Sequence, residues 1–308
     1  MRLRRSSPSS PGWTRVKHGK GFRYLDADGR SLTAKDVERV KALVIPPAWR
    51  EVWISPHPNG HIQAVGYDDA GRRQYLYHEQ WRTNRDAEKF DRVLELAPRL
   101  GKFRAQIEAD MRSRGRKRLL AIALRMLDLG VFRVGHEEYA EDNGTHGVAT
   151  LLCEHLSVRG DRVRFRFPAK HGVEVDEEIA DAKLARAVRT LLGNRTPDCR
   201  LYEDLTADDI NERFRELVGD EFSAKDLRTW HATVRAAQAF ARALHDRGKP
   251  SKRAVSAVMK EVAEDLGNTP AVARKSYVDP RLTEAFERGE VIGDGEPERA
   301  VRKLLTRS

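Results

Sequence analysis

Residues 162–175 read RVRFRFPAKHGVEV, and their period decides how the larger part of the chain is built. Val163, Phe165 and Phe167 alternate with Arg162, Arg164 and Arg166. That two-residue repeat belongs to a strand with one face buried and the other wet. Pro-Ala-Lys-His-Gly follows as a turn, and Val-Glu-Val as a return strand. The spacing predicts a β segment over 157–175, with Lys170 at or near a hairpin tip, held out from the sheet. On both sides the period is helical. Residues 117–129, KRLLAIALRMLDL, are densely apolar and stop at Gly130. Further helices are expected over 176–192, 207–218, 224–245 and 252–266. Thr206 with Asp209, and Ser223 with Asp226, give a capping-box pattern with Asp in place of Glu. Gly193, Gly219 and Gly267 fall just past helix ends.

Upstream the pattern changes. FRYLD, VWISP, HIQAVGYD and RQYLYH are short, alternating or aromatic-rich, and are separated by the turns DADG, HPNG and DDAG. They predict a small antiparallel sheet, interrupted by a helix near 34–43 whose Val37, Val40 and Leu43 share a face. Pro46 and Pro47 stop that helix. Residues 1–20, rich in Arg, Ser, Pro and Gly, are expected to form a flexible basic arm useful for loose phosphate contact. The fold class is therefore α+β. A small antiparallel β-sheet domain is expected over 21–85, a linker near 83–90, and a larger, mainly α-helical domain with a β-hairpin over 86–308.

Composition narrows the function. The 308 residues include 57 Lys and Arg against 47 Asp and Glu, a net charge of +10, which favours a polyanionic partner. Positive residues recur beside aromatics, as in RRQYLYHEQWR at 72–82, a mixture suited to backbone contacts with some base reading. Cys153 and Cys199 are too few for a disulfide framework or a zinc cluster, and a reducing interior is expected. The N-terminus has no apolar stretch resembling a signal, and no window reaches the length of a membrane span. A cytoplasmic, nucleoid-associated protein without membrane contact is the expectation. No GxxxxGK[ST] loop is present, so ATP is not expected, and no cofactor or metal is. The segment HEEYAEDNGTH (136–146) holds two histidines and four acids, but its spacing fits no zinc pattern.

One stretch raises a chemical question. LGNTPAVARKSYVDPRL (266–282) sets Tyr277 among Arg274, Lys275 and Arg281. A phenol attacking a phosphodiester needs donors already in place for the non-bridging oxygens, and an acid for the departing alkoxide. Arginine suits the first task, because its planar fork matches two oxygens and stays charged. A lysine suits the second. The chain offers Arg133 in FRVGHEEY, Lys170 in FPAKHG, Arg228 in KDLRTWHAT, Asn268 after Gly267, and Tyr277. Each also has a plainer reading. Arg228 could pair with Asp226 or Glu221, Lys170 could be solvated surface, Arg133 could satisfy helix-end carbonyls, and Asn268 could simply end a helix. His231 could donate to a phosphate or buttress Arg228.

Together KDLRTWHAT, LGNTP and KSYVDPRL resemble the type IB DNA topoisomerases, in the compact branch of poxviruses and some bacteria. IPPAWREVWI (45–54) and RQYLYH (73–78) are similar to that branch's N-terminal domain; FRVG, FPAK and EHLSV (154–158) are similar to its catalytic domain. The resemblance covers nearly the whole chain. It implies that Tyr277 is the nucleophile of a 3′-phosphotyrosyl intermediate, that Arg133 and Arg228 clamp the scissile phosphate, and that Lys170 is the general acid. Asn268 stands where poxvirus members have histidine; it can donate to a phosphate oxygen but cannot titrate. DNA contacts are implied for Gln74, Tyr75 and Tyr77 in the major groove. Gly135 and Tyr139 would meet phosphates, and Lys225 the DNA near the cleavage site. His136 replaces a lysine at another contact. The implied activity is relaxation of positive and negative supercoils by a monomer clamping double-stranded DNA. Two other readings stay open here. A tyrosine recombinase shares the Arg-Lys-Arg-Tyr logic and HATVRAA, and the tail 296–306 could supply its exchanged helix. Lys225 in place of a histidine, the β-rich N-terminal region and IPPAW stand against it. A non-catalytic DNA-binding protein would also use these arginines and tyrosines.

Overall fold

The computed structural model describes residues 2–130, 132–135 and 144–307, and of residues 84, 86, 87 and 171 the backbone alone. The chain divides into two compact units, Met1–Glu88 and Lys89–Ser308. No helix among the described residues is long and apolar enough to cross a membrane.

The first unit is a five-stranded antiparallel sheet of order β2-β1-β3-β4-β5. Its strands are β1 (Trp13–His18), β2 (Gly21–Leu25), β3 (Arg50–Ile54), β4 (Ile62–Tyr67) and β5 (Arg73–Tyr77). Helix α1 (Ala34–Ala42) starts at Thr33, whose side chain accepts from the Asp36 amide, and buries Val40 against Val52, Ile54 and Ala64.

Two expectations are corrected here. Residues 13–18, assigned to a flexible arm, form β1, pairing residue for residue with 21–25. Arg15 does not wait for a phosphate. Its guanidinium donates to the carbonyls of Ile45, Pro46 and Trp49 at 3.2, 3.0 and 2.6 Å, tying IPPAW to the sheet. Further upstream Arg4 N donates to Asn59 O, and His61 N to Arg4 O, both at 2.9 Å. The linker expected near 83–90 is instead part of α2 (Glu79–Leu96), and the division between units falls inside that helix. No Gly or Pro interrupts residues 79–97, so nothing in the backbone chemistry breaks the helix there.

The second unit is helical around one small sheet. Its elements are α3 (Leu100–Asp110), α4 (Gly115–Leu129), β6 (Leu156–Arg159), β7 (Arg162–Ala169), β8 (Val173–Ala180), α5 (Ala182–Leu192), α6 (Ala207–Val218), α7 (Ala224–Arg247), α8 (Lys252–Leu266), α9 (Pro270–Ser276), α10 (Pro280–Glu287) and α11 (Pro297–Leu305). The expected hairpin is present as β7 and β8, joined by β6 into a three-stranded sheet. Val163, Phe165 and Phe167 are buried, and Phe165 and Phe167 pack on Phe132. The helix expected over 176–192 begins at 182. Residues 176–180 continue β8, because their main chain pairs with β7 as far as Arg162↔Ala180. Asp181 then caps α5, accepting from Leu184 N. The two capping boxes form as read, Thr206 with Asp209 and Ser223 with Asp226. Cys153 and Cys199 are free thiols with sulfurs 2.8 Å apart, and burial pushes the Cys153 thiol up to about 11.

Candidate active site

The site is a cleft of about 470 Å³ in the second unit, and Arg133, Lys170, Lys225, Arg228 and Tyr277 all line it. Each reaches it from a different local device. Arg133 follows the Gly130 stop of α4. Its carbonyl accepts from Val148 N, at the crossing where Gly135 meets Gly147. Gly135 lies at φ +85°, and a Cβ there would come within 2.7 Å of Gly147 Cα. A side chain is excluded twice over, by the backbone conformation and by the close approach. Lys170 opens the short 3-10 turn Lys170–Gly172 between β7 and β8. Lys225 and Arg228 lie in the first turns of α7, after the Ser223 cap. Tyr277 ends α9, whose Thr269 cap and Pro270 start follow directly on Asn268.

The interactions bear on the plainer readings of Arg228 and Arg133. Asp226 is taken by its cap and by Arg92 at 2.8 Å, and Glu221 by Arg99 at 2.9 Å, so neither neutralises Arg228. Arg228 is 6% exposed and donates to the Leu266 carbonyl, and its guanidinium carbon lies 5.5 Å from the centre of the Tyr277 ring. Arg133 Nη2 donates to Asn268 Oδ1 at 2.9 Å. Both acceptors are neutral. Burial, with Arg133 beside it, pushes the Arg228 guanidinium down to about 10, and burial lowers Arg133 as well.

Among the described residues, two buried donors at this site have no hydrogen-bond partner, Arg228 Nε and Asn268 Nδ2. Such groups each cost about 1–3 kcal/mol when left unmade. They are arranged to meet something that accepts, and a tetrahedral oxyanion does. Asn268 thus ends α8 through its main chain, and its side chain both holds Arg133 and offers a donor.

The positive charge next to Tyr277 in sequence is not the charge next to it in space. Arg281 is bound by Asp279 at 2.7 Å and Asp91 at 2.9 Å, while Arg274 and Lys275 are exposed. The arginines at the phenol come from positions 133 and 228. Tyr277 itself is buried, 9% exposed, and its carbonyl accepts from Thr233 Oγ1 at 3.1 Å.

Other expected residues fall out differently. His231 turns to Asp128, 3.6 Å away, and does not line the cleft. His136 and Tyr139 lie outside the described residues. On β5 of the first unit, Tyr75 and Tyr77 are exposed and stacked at 5.8 Å, with Arg73 over Tyr75 at 5.4 Å. The pleat puts Gln74 on the other face, where it donates to Asp68 at 3.0 Å. Sequence reasoning missed Arg73, whose parity with Tyr75 and Tyr77 was the available signal. It also missed Asn211 and Arg215 of α6, which line the cleft and carry no local signal.

Comparison with known proteins identifies the family. The model of the eukaryotic DNA topoisomerase I catalytic core matches residues 78–288. The chain belongs to the type IB DNA topoisomerases. The bacterial DNA topoisomerase IB N-terminal domain model matches residues 21–68. DNA topoisomerase 1B of Acanthamoeba polyphaga mimivirus is 30% identical over 296 residues, covering 90% of this chain and 88% of its own length. DNA topoisomerase 1B of Vaccinia virus (strain Copenhagen) is 26% identical over 231 residues, 71% of each chain. The recombinase and the non-catalytic alternatives give way to this membership, and the chain is a type IB topoisomerase whose substrate is DNA.

Proposed function

We propose that this topoisomerase relaxes both positive and negative supercoils without ATP, through a 3′-phosphotyrosyl intermediate formed on Tyr277. The observation that supports this is the meeting of Arg133, Lys170, Arg228 and Tyr277 in one cleft, from four stretches far apart in sequence. The Tyr277 oxygen attacks the scissile phosphorus and loses its proton to solvent. The bond from phosphorus to the 5′-oxygen breaks, and Lys170 delivers a proton to that oxygen. Arg133, Arg228 and the Asn268 amide donate to the non-bridging oxygens, each arginine being worth about 10²–10³ in rate. The freed 5′ end rotates about the intact strand. The 5′-hydroxyl then attacks the phosphotyrosine and gives its proton back to Lys170. The linkage keeps the energy of the broken phosphodiester, so no nucleotide is consumed. Lys225 and Gly135 border the same cleft and serve as DNA contacts there. Tyr75 and Tyr77 present an aromatic face for the groove.

The test is relaxation of positively and negatively supercoiled plasmid in EDTA without ATP, by wild type and Tyr277→Phe. Relaxation of both by wild type and of neither by the variant, with DNA binding kept, is the expected result. A Tyr277→Phe protein that still relaxes DNA would sink the assignment.

A further inference from the structure

The hairpin that carries Lys170 needs something to hold it against the helices that carry the rest of the site. Its own ion pairs do not do this. Arg162 with Glu178, Arg164 with Asp176 and Arg166 with Glu174 all close within the β7–β8 ribbon, on its wet face. Glu177, on β8 opposite Phe165, points the other way. It accepts from Arg235 Nη2 at 3.3 Å. The other guanidinium nitrogen, Nη1, lies 3.0 Å from Asp265 Oδ2.

Arg235 stands on α7 seven residues after Arg228, two turns along one helix face. Asp265 is in the last turn of α8, three residues before Asn268. One guanidinium therefore joins the three elements that position Lys170, Arg228 and Asn268. The side chains are about two-thirds buried, at 32%, 27% and 38% exposure for Arg235, Glu177 and Asp265. A second contact lies nearer the tip. A Cβ placed on Gly267 would come within 3.3 Å of Val173 Cγ1, so β8 enters against the bare backbone that ends α8. Without Arg235, two carboxylates would face each other across this seam, and like charges there would push the hairpin away.

We propose that Arg235 is a positioning residue, which docks the β7–β8 hairpin on α7 and α8 through Glu177 and Asp265 and thereby fixes Lys170 over the departing 5′-oxygen. This rests on the general-acid reading of Lys170. Arg235 acts through the hairpin and not through the DNA. Its removal should damage one step, protonation of the leaving group, and spare phosphate binding.

The experiment exploits the leaving group. Single-turnover cleavage is measured on a duplex carrying the mapped wild-type cleavage site, with either oxygen or sulfur bridging to the 5′ carbon. A thiol has a pKa of about 8.5, so thiolate departs without a proton donor. Arg235→Gln should cleave the oxygen-bridged duplex about tenfold to hundredfold more slowly, the scale of a misplaced catalytic group. It should cleave the sulfur-bridged duplex at close to the wild-type rate, with DNA affinity unchanged. Glu177→Gln, which keeps the side-chain shape, should show the same selective rescue, and Arg235→Lys should recover part of the oxygen rate. Equal slowing of Arg235→Gln and Glu177→Gln on both duplexes, or no slowing on either, overturns the inference. Lys170→Ala is the control. If sulfur rescues Lys170→Ala but neither seam variant, the docking role alone fails. If sulfur does not rescue Lys170→Ala, the general-acid reading falls and this inference falls with it.

Discussion

Two groups of arginines in the second unit share a chemistry and differ in company. Arg162, Arg164 and Arg166 alternate along the wet face of β7, each with a carboxylate from β8 at 2.8, 2.6 or 3.4 Å. Arg133 and Arg228 sit in the cleft with an amide oxygen and a main-chain carbonyl as acceptors. The exposed group is conspicuous in sequence and electrically spent. The cleft group is inconspicuous, partly robbed of its solvent, and still has charge to give. A count of positive residues therefore says little about where a phosphate would bind. The identity of the acceptors says much more.

Replacing the cleft arginines gives the largest expected effect. Arg133→Ala and Arg228→Ala should each lower covalent-complex formation on nicked or duplex DNA by about 10²–10³-fold. Denaturing gels of the trapped adduct measure this directly, and a smaller loss than at Arg164 would erase the distinction. Next, Asn268→Asp turns a cleft arginine into the exposed kind, by giving Arg133 a carboxylate. The same carboxylate repels the phosphate, so cleavage should fall about tenfold to hundredfold while Asn268→Ala falls less. An aspartate variant faster than the alanine variant would contradict the neutral-acceptor argument.

Behind the cleft lies a base buried in its neutral form, and it sharpens the contrast by pH. His155, of the EHLSV segment, accepts from Leu152 N at 3.0 Å and packs its ring on His146 and Phe167. Burial, then His146, pushes its pKa down to about 4. Between pH 6.5 and 4 the unfolded chain binds the proton that the folded one refuses. Stability from this residue is thus complete above pH 6.5 and lost as pH falls through 4. Denaturant melts of wild type against His155→Gln should show an additional loss on the order of 1–2 kcal/mol in wild type over that window. Parallel pH curves would show that His155 takes its proton while folded. The smallest effect belongs to the exposed group. Arg164→Gln should leave the denaturation midpoint almost unmoved and change cleavage by less than about twofold, and added salt should mask even that.

Much of the fold was legible wherever one short period ran without competition. RVRFRF fixed its own pleat, Gly130 and Gly267 marked helix ends, and the Asp capping boxes formed where their spacing put them. Misreadings came where local composition and long-range pairing disagreed. Residues 176–180 look helical alone but are claimed by β7, and Arg15 reads as part of a loose arm although β2 and IPPAW supply its partners. The site was legible as a set of residue types, because phosphoryl chemistry restricts them tightly. Its supports were not. Asn211, Arg215 and Arg235 owe their places to the packing of α6 and α7, which no motif encodes.

The meeting of Arg133 and Arg228 also bears on how such a protein tolerates change. Burial, and after it the neighbouring Arg133, loosens the hold of Arg228 on its proton, because the fold keeps the two together. Variants that lose either charge relieve that crowding, so heat resistance and catalytic rate pull the same two positions in opposite directions. A random library screened by survival of heating alone would therefore drift toward losses at 133 and 228. Only a screen that also demands nicking and rejoining would keep them.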